Sequence, residues 1–306
     1  MRVAIAGSSG LIGTALKESL HAHGHETLAL VRREPKGDQS RWDPTTGLID
    51  AEALLACDVV INLAGASIGD RRLTPSYQRF VRESRVQSTA LIASTLAQGW
   101  HGVLIQGSAM GYYGDRREES LTERSDAGDS FLAGMAKDWE HAAAPVVDAG
   151  VRTVFIRSGL VLAPFGGFAD RLLPLVRRGL LGKLGSGRAW HAWISLEDEV
   201  RAIEFLIASD HHGPANLVAP AATRDADLIA ALCRAAGKRP GFGVPAWSLE
   251  LVIGQAIDDL LASQNARPGV LTRLGFEWHH PSIASAAAWV MEQAGFAPPS
   301  IPETSA

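Results

Sequence analysis

The apolar run Val3-Ala4-Ile5-Ala6 leads directly into Gly7-Ser8-Ser9-Gly10-Leu11-Ile12-Gly13, and Leu11, Ala15, Leu16 and Leu20 then recur at helical spacing up to Gly24. A buried strand, a three-glycine turn and an amphipathic helix in that order open a βαβ unit. That opening constrains the rest, because parallel strands need crossover connections and the crossover helices cover both sheet faces. The chain continues in kind. Thr27–Val31, Asp58–Asn62, Gly102–Ile105 and Arg152–Arg157 are further apolar runs, with amphipathic segments over 75–98 and 131–148 between the later ones. Pro145 should bend or end the second segment. The expected fold class is α/β, a Rossmann-type doubly wound parallel sheet.

After about residue 160 the pattern changes. Helical spacing over 168–181, 197–209, 224–236, 247–263 and 282–294 alternates with Pro- and Gly-containing stretches. The expected division is a dinucleotide-binding domain over 1–160, with later segments returning to it, a smaller and mostly helical substrate-side domain over 161–297, and a flexible tail over 298–306. The 306 residues leave room for both. A composition 46% hydrophobic and 20% charged excludes a disordered or fibrous chain. A net charge of −4 without a basic tract argues against nucleic acid and anionic membrane as partners. The N-terminal apolar run is too short for a signal peptide, and no stretch reaches the ~18 apolar residues of a membrane span. A cytoplasmic location is expected. Cys57 and Cys233 alone make neither a disulfide framework nor a zinc site. His21, His23 and His25, and the pairs His211-His212 and His279-His280, lack chelating spacing, so no metal is expected.

In the glycine loop, small residues permit a tight turn and close backbone approach, and the helix start supplies unpaired N–H groups for a pyrophosphate. Gly7-x-x-Gly10-x-x-Gly13 differs by one residue from the G-x-G-x-x-G fingerprint, and three glycines also suit an ordinary strand–helix turn. The strand before, the helix after and the second strand on cue favour the dinucleotide. At the end of that second strand, 19 residues past Gly13, stands Arg32, followed by Arg33. A carboxylate there would take a ribose 2′-hydroxyl, whereas guanidinium groups suit a 2′-phosphate. NADP(H) is therefore the expected cofactor. The alternative reads both arginines as solvated and Glu34 as the ribose ligand, but Glu34 falls later and precedes Pro35.

Asn62-Leu63-Ala64-Gly65 at a strand end, together with the glycine loop, resembles the short-chain dehydrogenase/reductase superfamily. Further stretches narrow the likeness: Trp42-Asp43-Pro44, Ser84-Arg85-Val86, Ser108-Ala109-Met110-Gly111-Tyr112-Tyr113-Gly114-Asp115, Trp139-Glu140, Arg157-Ser158-Gly159, Gly185-Ser186-Gly187 and Trp193-Ile194. Pro245, Gly254, Leu260-Leu261-Ala262-Ser263-Gln264, Pro268, Gly275-Phe276 and Pro281 extend it to about residue 293. Together they resemble the atypical extended branch, the epimerase-family (YfcH-like) proteins with a C-terminal domain of unknown function. The resemblance implies an NADP(H)-binding Rossmann domain with a small C-terminal substrate-side domain. It places Gly7, Ser9, Gly10, Leu11, Ile12, Gly13, Arg32, Arg33, Asn62, Leu63, Ala64, Gly65 and Arg85 around the cofactor, with Gly159 and Leu160 towards its nicotinamide end. On its own residues, Arg85 reads equally as a phosphate partner or a solvated helix arginine.

Most of that superfamily uses a Tyr-x-x-x-Lys pair, the tyrosine passing a proton and the lysine lowering its pKa. Here Tyr77, Tyr112 and Tyr113 are followed four residues on by Val81, Arg116 and Arg117. Counting back from Trp139-Glu140 puts Leu132 and Ala136 at the two positions. The candidates left are Tyr113 or Tyr112 as proton donor, Ser108 as an orienting hydroxyl, and Lys137 as a ribose or acid group. His191 and Trp193 are candidates to line the substrate pocket, and Glu197-Asp198 reads as a helix start. The expected function is that of an NADP(H)-dependent oxidoreductase or epimerase-like enzyme acting on a small molecule, as a monomer or homodimer. A catalytically silent NADP(H)-binding regulator and a nucleotide-sugar epimerase are the competing readings.

Overall fold

The computed structural model describes residues 1–68, 71–167, 169–244 and 262–296. Its main sheet contains β1 (Arg2–Ala6), β2 (Glu26–Val31), β3 (Gln39–Asp43), β4 (Leu48–Ile49), β5 (Val59–Asn62), β6 (Val103–Ala109), β7 (Arg152–Ser158) and β8 (Gly213–Leu217). The order is β8-β7-β6-β5-β1-β2-β3-β4, parallel except that β4 runs against β3. From β1 the chain winds one way through β2 and β3, then crosses to β5 and winds the other way. The loops after β1 and β5 therefore diverge, and the crevice between them is where sheets of this topology take ligands. All five strands expected from apolar runs are present. Three strands lie outside those runs: β3, whose residues are mostly polar, the two-residue β4, and β8, which opens on Gly213-Pro214.

Two layers cover the sheet. α1 (Leu11–Ala22) lies on one face with α7 (Leu196–Ala208). Alternation along the strands sends Val3, Ile5, Val154 and Ile156 against Leu16, Leu20, Val200 and Ile203. The other face carries α2 (Ala51–Leu55), α3 (Pro75–Leu96), α4 (Phe131–His141) and α5 (Ala144–Asp148), with Ala4, Ala6, Val60 and Leu104 packed on Leu54, Ile92, Leu96 and Val146. Pro145 has the effect expected of it, since the 131–148 segment stops at His141 and restarts as α5 with the proline in its first turn.

Beyond β7, α6 (Ala169–Arg177), α8 (Asp225–Ala235) and α10 (Ile283–Gln293) pack around Trp193, Leu228, Leu232 and Val290, while α9 (Gly269–Leu274) joins the core beneath α7. This lobe is less purely helical than expected. Leu160–Leu162 pairs with Trp193–Ser195, Trp190–His191 with Thr223–Arg224, and Asn265–Ala266 with Ser120–Leu121. Most of the expected helix over 247–263, the matched Pro245, Gly254, Leu260 and Leu261, and the expected tail over 298–306 lie outside the described residues. Among the described residues no helix is long and apolar enough to cross a membrane.

Candidate functional site: a dinucleotide crevice and a buried polar relay

The three loop glycines do three different things. Gly7 turns with φ +83°, and a Cβ on it would stand 2.7 Å from the carbonyl carbon of Leu63. A Cβ on Gly13 would run into the Gly7 carbonyl oxygen and sit 2.9 Å from the Cα of Ser8, so its absence lets α1 close onto β1. Gly10, exposed, is the N-cap of α1, and a Cβ there would meet only the Gly7 oxygen, at 3.3 Å. No side chain caps the helix and its first turn holds no acidic residue. Its leading amides, including those of Leu11 and Ile12, are thus left for an anion. Two glycines are consumed by the protein's own packing, and the third keeps the crevice side bare. That is the cradle a pyrophosphate needs.

Across the crevice, Asn62 is fully buried and its amide is entirely used: Nδ2 donates to Thr89 Oγ1 and Gln106 Oε1, both at 3.0 Å, and Oδ1 accepts the Ala64 amide at 3.2 Å. It shapes the Leu63-Ala64-Gly65 loop and leaves any ligand contact to that loop's backbone. Gly65 must be small because a Cβ would stand 2.9 Å from Cζ of Arg85. Arg85 is not a solvated helix arginine. It is buried, it donates through Nη1 to the carbonyls of Ala66 and Val81, and it packs 5.0 Å from the Trp139 ring. Among the described residues no carboxylate pairs with it and its Nε has no partner, and burial pulls its pKa down to about 10. An unmatched buried guanidinium beside the crevice loop fits an incoming phosphate. Arg32 and Arg33 stand exposed just past β2, without an ion pair among the described residues; Glu34 instead lies 3.7 Å from Arg41.

At the carboxyl ends of β6 and β7 lies a chain of polar contacts that the sequence reading did not assemble. Ser108 Oγ donates to Glu140 Oε1 at 2.6 Å, and Glu140 takes a two-point contact from Arg157, with Nε at 2.8 Å and Nη2 at 2.9 Å. Arg157 Nη1 donates to the Tyr113 hydroxyl at 2.9 Å, and that hydroxyl donates to Asn216 Oδ1 at 2.8 Å. Burial opposes the charge on Arg157, but the Glu140 carboxylate outweighs it and holds the guanidinium above its ordinary pKa. The only prior signs were a charged residue closing a buried strand and the Trp139-Glu140 pair.

This relay corrects several expectations. Tyr113 is fully buried, its hydroxyl is occupied as both donor and acceptor, and burial pushes its pKa up to about 12. Both hydrogen-bonding roles of its hydroxyl are filled inside the protein, by Asn216 and Arg157. Ser108 spends its hydrogen on Glu140. Lys137 is exposed on α4, while the buried face of that helix carries Ala133, Ala136 and Trp139. Trp193 is buried in the lobe's core with its indole N–H on Thr223. His191 is half-buried with Nε2 3.3 Å from Asp225, whose other oxygen accepts the Leu184 amide. Tyr112 is different. It is only partly buried, its ring lies over the Arg157 guanidinium with Cζ 3.5 Å from the centroid, and its hydroxyl has no partner among the described residues. Gly159 and Leu160 follow β7 at the same edge, and a Cβ on Gly159 would stand 2.7 Å from the Ala192 oxygen. As expected of a helix start, Asp198 is bonded to Ser195 at the N-cap of α7, and Glu197 contacts His279 and His280. Two surface hollows lie elsewhere, about 530 Å³ beside His211 and Arg273 and about 370 Å³ between α1 and α10.

A doubly wound sheet with a bare glycine cradle at its switch point defines a dinucleotide-binding protein of the Rossmann class. The model of the NAD dependent epimerase/dehydratase family matches residues 3–219, and that of a domain of unknown function, DUF1731, matches 244–290. The chain belongs to that epimerase/dehydratase family, in its atypical extended short-chain dehydrogenase/reductase branch. It is 40% identical over 296 residues to Epimerase family protein Mb2239 of Mycobacterium bovis, covering 96% of this chain and 98% of that protein. The crystal structure of human epimerase family protein SDR39U1 with NADPH superposes with a TM-score of 0.87 at 30% identity, over 95% of this chain and 99% of that one. A nucleoside-diphosphate sugar epimerase from Corynebacterium glutamicum superposes at 0.79 with 34% identity, over 98% of this chain and 59% of that one.

Proposed function

We propose that the protein binds NADP(H) across the switch point of its sheet and acts as an oxidoreductase or epimerase-like enzyme on a small molecule held between the sheet edge and the C-terminal lobe. The observation that carries the reading is the division of labour among the glycines, with Gly7 and Gly13 locked against backbone and Gly10 open to the crevice. The NADPH in the human relative's structure supports it. Gly10, the amides of Ser9, Leu11 and Ile12, and the loop from Leu63 to Gly65 would hold the diphosphate and adjoining riboses. Arg32 and Arg33 would take the 2′-phosphate, and Arg85 would add charge from beneath Gly65.

The bound nucleotide would supply or accept hydride; the protein supplies position, dryness and a proton. Tyr112 is the hydroxyl best placed for that proton. Its ring lies over the Arg157 guanidinium, which is in turn held by Glu140 and Tyr113. Ser108 and Lys137 have no part in this version, and His191 remains a wall residue. The test is a panel of carbonyls, enones and nucleotide sugars with NADPH, followed by cofactor oxidation. Turnover that survives Tyr113→Phe but is lost in Tyr112→Phe supports the assignment; turnover unaffected by Tyr112→Phe refutes it.

A second reading, an NADP(H)-binding regulator without turnover, is favoured by Leu132 and Ala136 standing where the usual dyad would be. Tight nucleotide binding with no turnover on the panel, and redox-dependent capture of a partner protein, would establish it. A nucleotide-sugar epimerase is suggested by the name of the Corynebacterium relative. It is disfavoured by the same two positions, because cycling a keto intermediate calls for that tyrosine.

A further inference from the structure

Glu199 takes no part in the site described above. It lies in the first turn of α7 and is fully buried, its Oε1 accepts the Ser158 hydroxyl at 2.5 Å, and its Oε2 has no partner among the described residues. Ser158 is the last residue of β7. Along that strand Val154 and Ile156 face the α1/α7 core and Arg157 faces α4, so Ser158 returns to the α7 side at the carboxyl edge, next to Gly159. The carboxyl therefore sits immediately beneath the strand end that, on the reading proposed above, would approach the nicotinamide.

Among the described residues no cation answers it. On α7, Glu197 contacts His279 and His280, Asp198 contacts Arg201, and Glu204 contacts His23. On α1, Lys17 is paired with Asp38, His21 is bonded to Thr27 and Glu18 is exposed. On β7, Arg152 is spent on the carbonyls of Leu206, Ile207 and His211, and Arg157 on Glu140 and Tyr113. β6 and the strands Leu160–Leu162 and Trp193–Ser195 bring no charged side chain. Burial raises the carboxyl to about 8, so it keeps its proton at neutral pH.

We infer that Glu199 links the redox state of the bound cofactor to a proton, the cationic oxidised ring favouring the carboxylate and the uncharged reduced ring favouring the acid. Binding of NADP⁺ then expels the Glu199 proton to solvent, and binding of NADPH does not. One positive charge enters as one leaves, and the protein's preference between the two forms shifts with pH. The inference rests on the NADP(H) reading, and the test separates the two.

The full chain is titrated calorimetrically with NADP⁺ and with NADPH at about pH 7, in two buffers of different ionisation enthalpy, and the affinities are followed towards pH 9. The native protein should release a large fraction of one proton on binding NADP⁺ and close to none with NADPH. Its affinity for NADP⁺ relative to NADPH should rise roughly tenfold as pH increases across this range. In Glu199→Gln, which keeps the shape of the neutral acid, both nucleotides should still bind, with no proton release and a ratio independent of pH. Equal release with both nucleotides, or release unchanged in Glu199→Gln, would overturn the inference while leaving the cofactor assignment standing. Should the variant not fold, the two nucleotides compared on the native protein decide it. Failure of the native protein to bind either nucleotide overturns the cofactor reading, and this inference with it.

Discussion

Gly10 and Gly13 lie one helical turn apart, and adding a single methyl to each should have opposite consequences. In Gly13→Ala the helix gains about 1 kcal/mol of intrinsic propensity. The new Cβ, however, overlaps the Gly7 carbonyl oxygen and crowds the Cα of Ser8, and these are backbone atoms pinned by β1. Overpacking of that kind costs about 1–3 kcal/mol or more. The net result should be a loss of up to roughly 2 kcal/mol, because α1 must lift Leu16 and Leu20 off the sheet. In Gly10→Ala the backbone already has φ −79°, which any residue adopts, and the Cβ meets one oxygen at 3.3 Å. A poorer N-cap and a stiffer unfolded chain nearly cancel, leaving stability within ~1 kcal/mol of native. If the exposed loop face is the pyrophosphate cradle, the methyl stands where the ligand would lie, and NADPH affinity should fall at least tenfold, about 1.4 kcal/mol. Urea denaturation gives the stabilities and calorimetry the affinities. Native NADPH affinity in Gly10→Ala would show that the loop is only a turn and that the cradle has been misread.

Arg32→Ala should weaken NADPH by about 1.5–3 kcal/mol more than NADH, measured by titration of each; equal losses would remove the 2′-phosphate role. Glu140→Ala leaves the buried Arg157 without its counterion and should cost about 3–5 kcal/mol in denaturant unfolding, far more than a surface pair would. Tyr113→Phe strips a partner from Asn216 and from Arg157 and should cost about 1–3 kcal/mol while NADPH affinity is unchanged. Glu199 has a folded-state pKa raised to about 8, so between its ordinary range and that value the folded protein binds more protons than the unfolded chain. Stability should therefore fall as pH rises through that window. Glu199→Gln, which has no such proton to lose, should gain on the native protein from pH ~5 to ~9 by something on the order of a few kcal/mol; a constant difference would refute the burial argument.

The strands β1, β2, β5, β6 and β7 were legible because burial between two helical layers makes them mostly apolar runs, with buried polar residues such as Asn62 and Arg157 at their carboxyl ends. β3 was not, because Gln39, Ser40 and Arg41 break the apolar pattern, and its pairing with β2 on one side and β4 on the other makes it a strand. β8 pairs on one side alone, with β7, which lets it begin at Gly213-Pro214. The cradle could be read because one local turn contains all of it. The relay could not, since Ser108, Glu140, Arg157 and Asn216 come from four elements and meet only when the sheet and α4 are in register. Nor could sequence distinguish two consecutive tyrosines. In the short 3-10 turn Met110–Tyr113 their rings stand at 81° to each other, one buried with its hydroxyl on Asn216 and the other laid over Arg157 with no hydroxyl partner among the described residues. Arg85 was undecidable for a similar reason: its burial comes from Gly65 and Trp139, far away along the chain.

Calorimetric titration of the native protein with NADPH and with NADH bears most directly on all of this. Saturable binding at one site per chain, tighter for NADPH than for NADH, is the predicted result. Absence of binding by either nucleotide would contradict it.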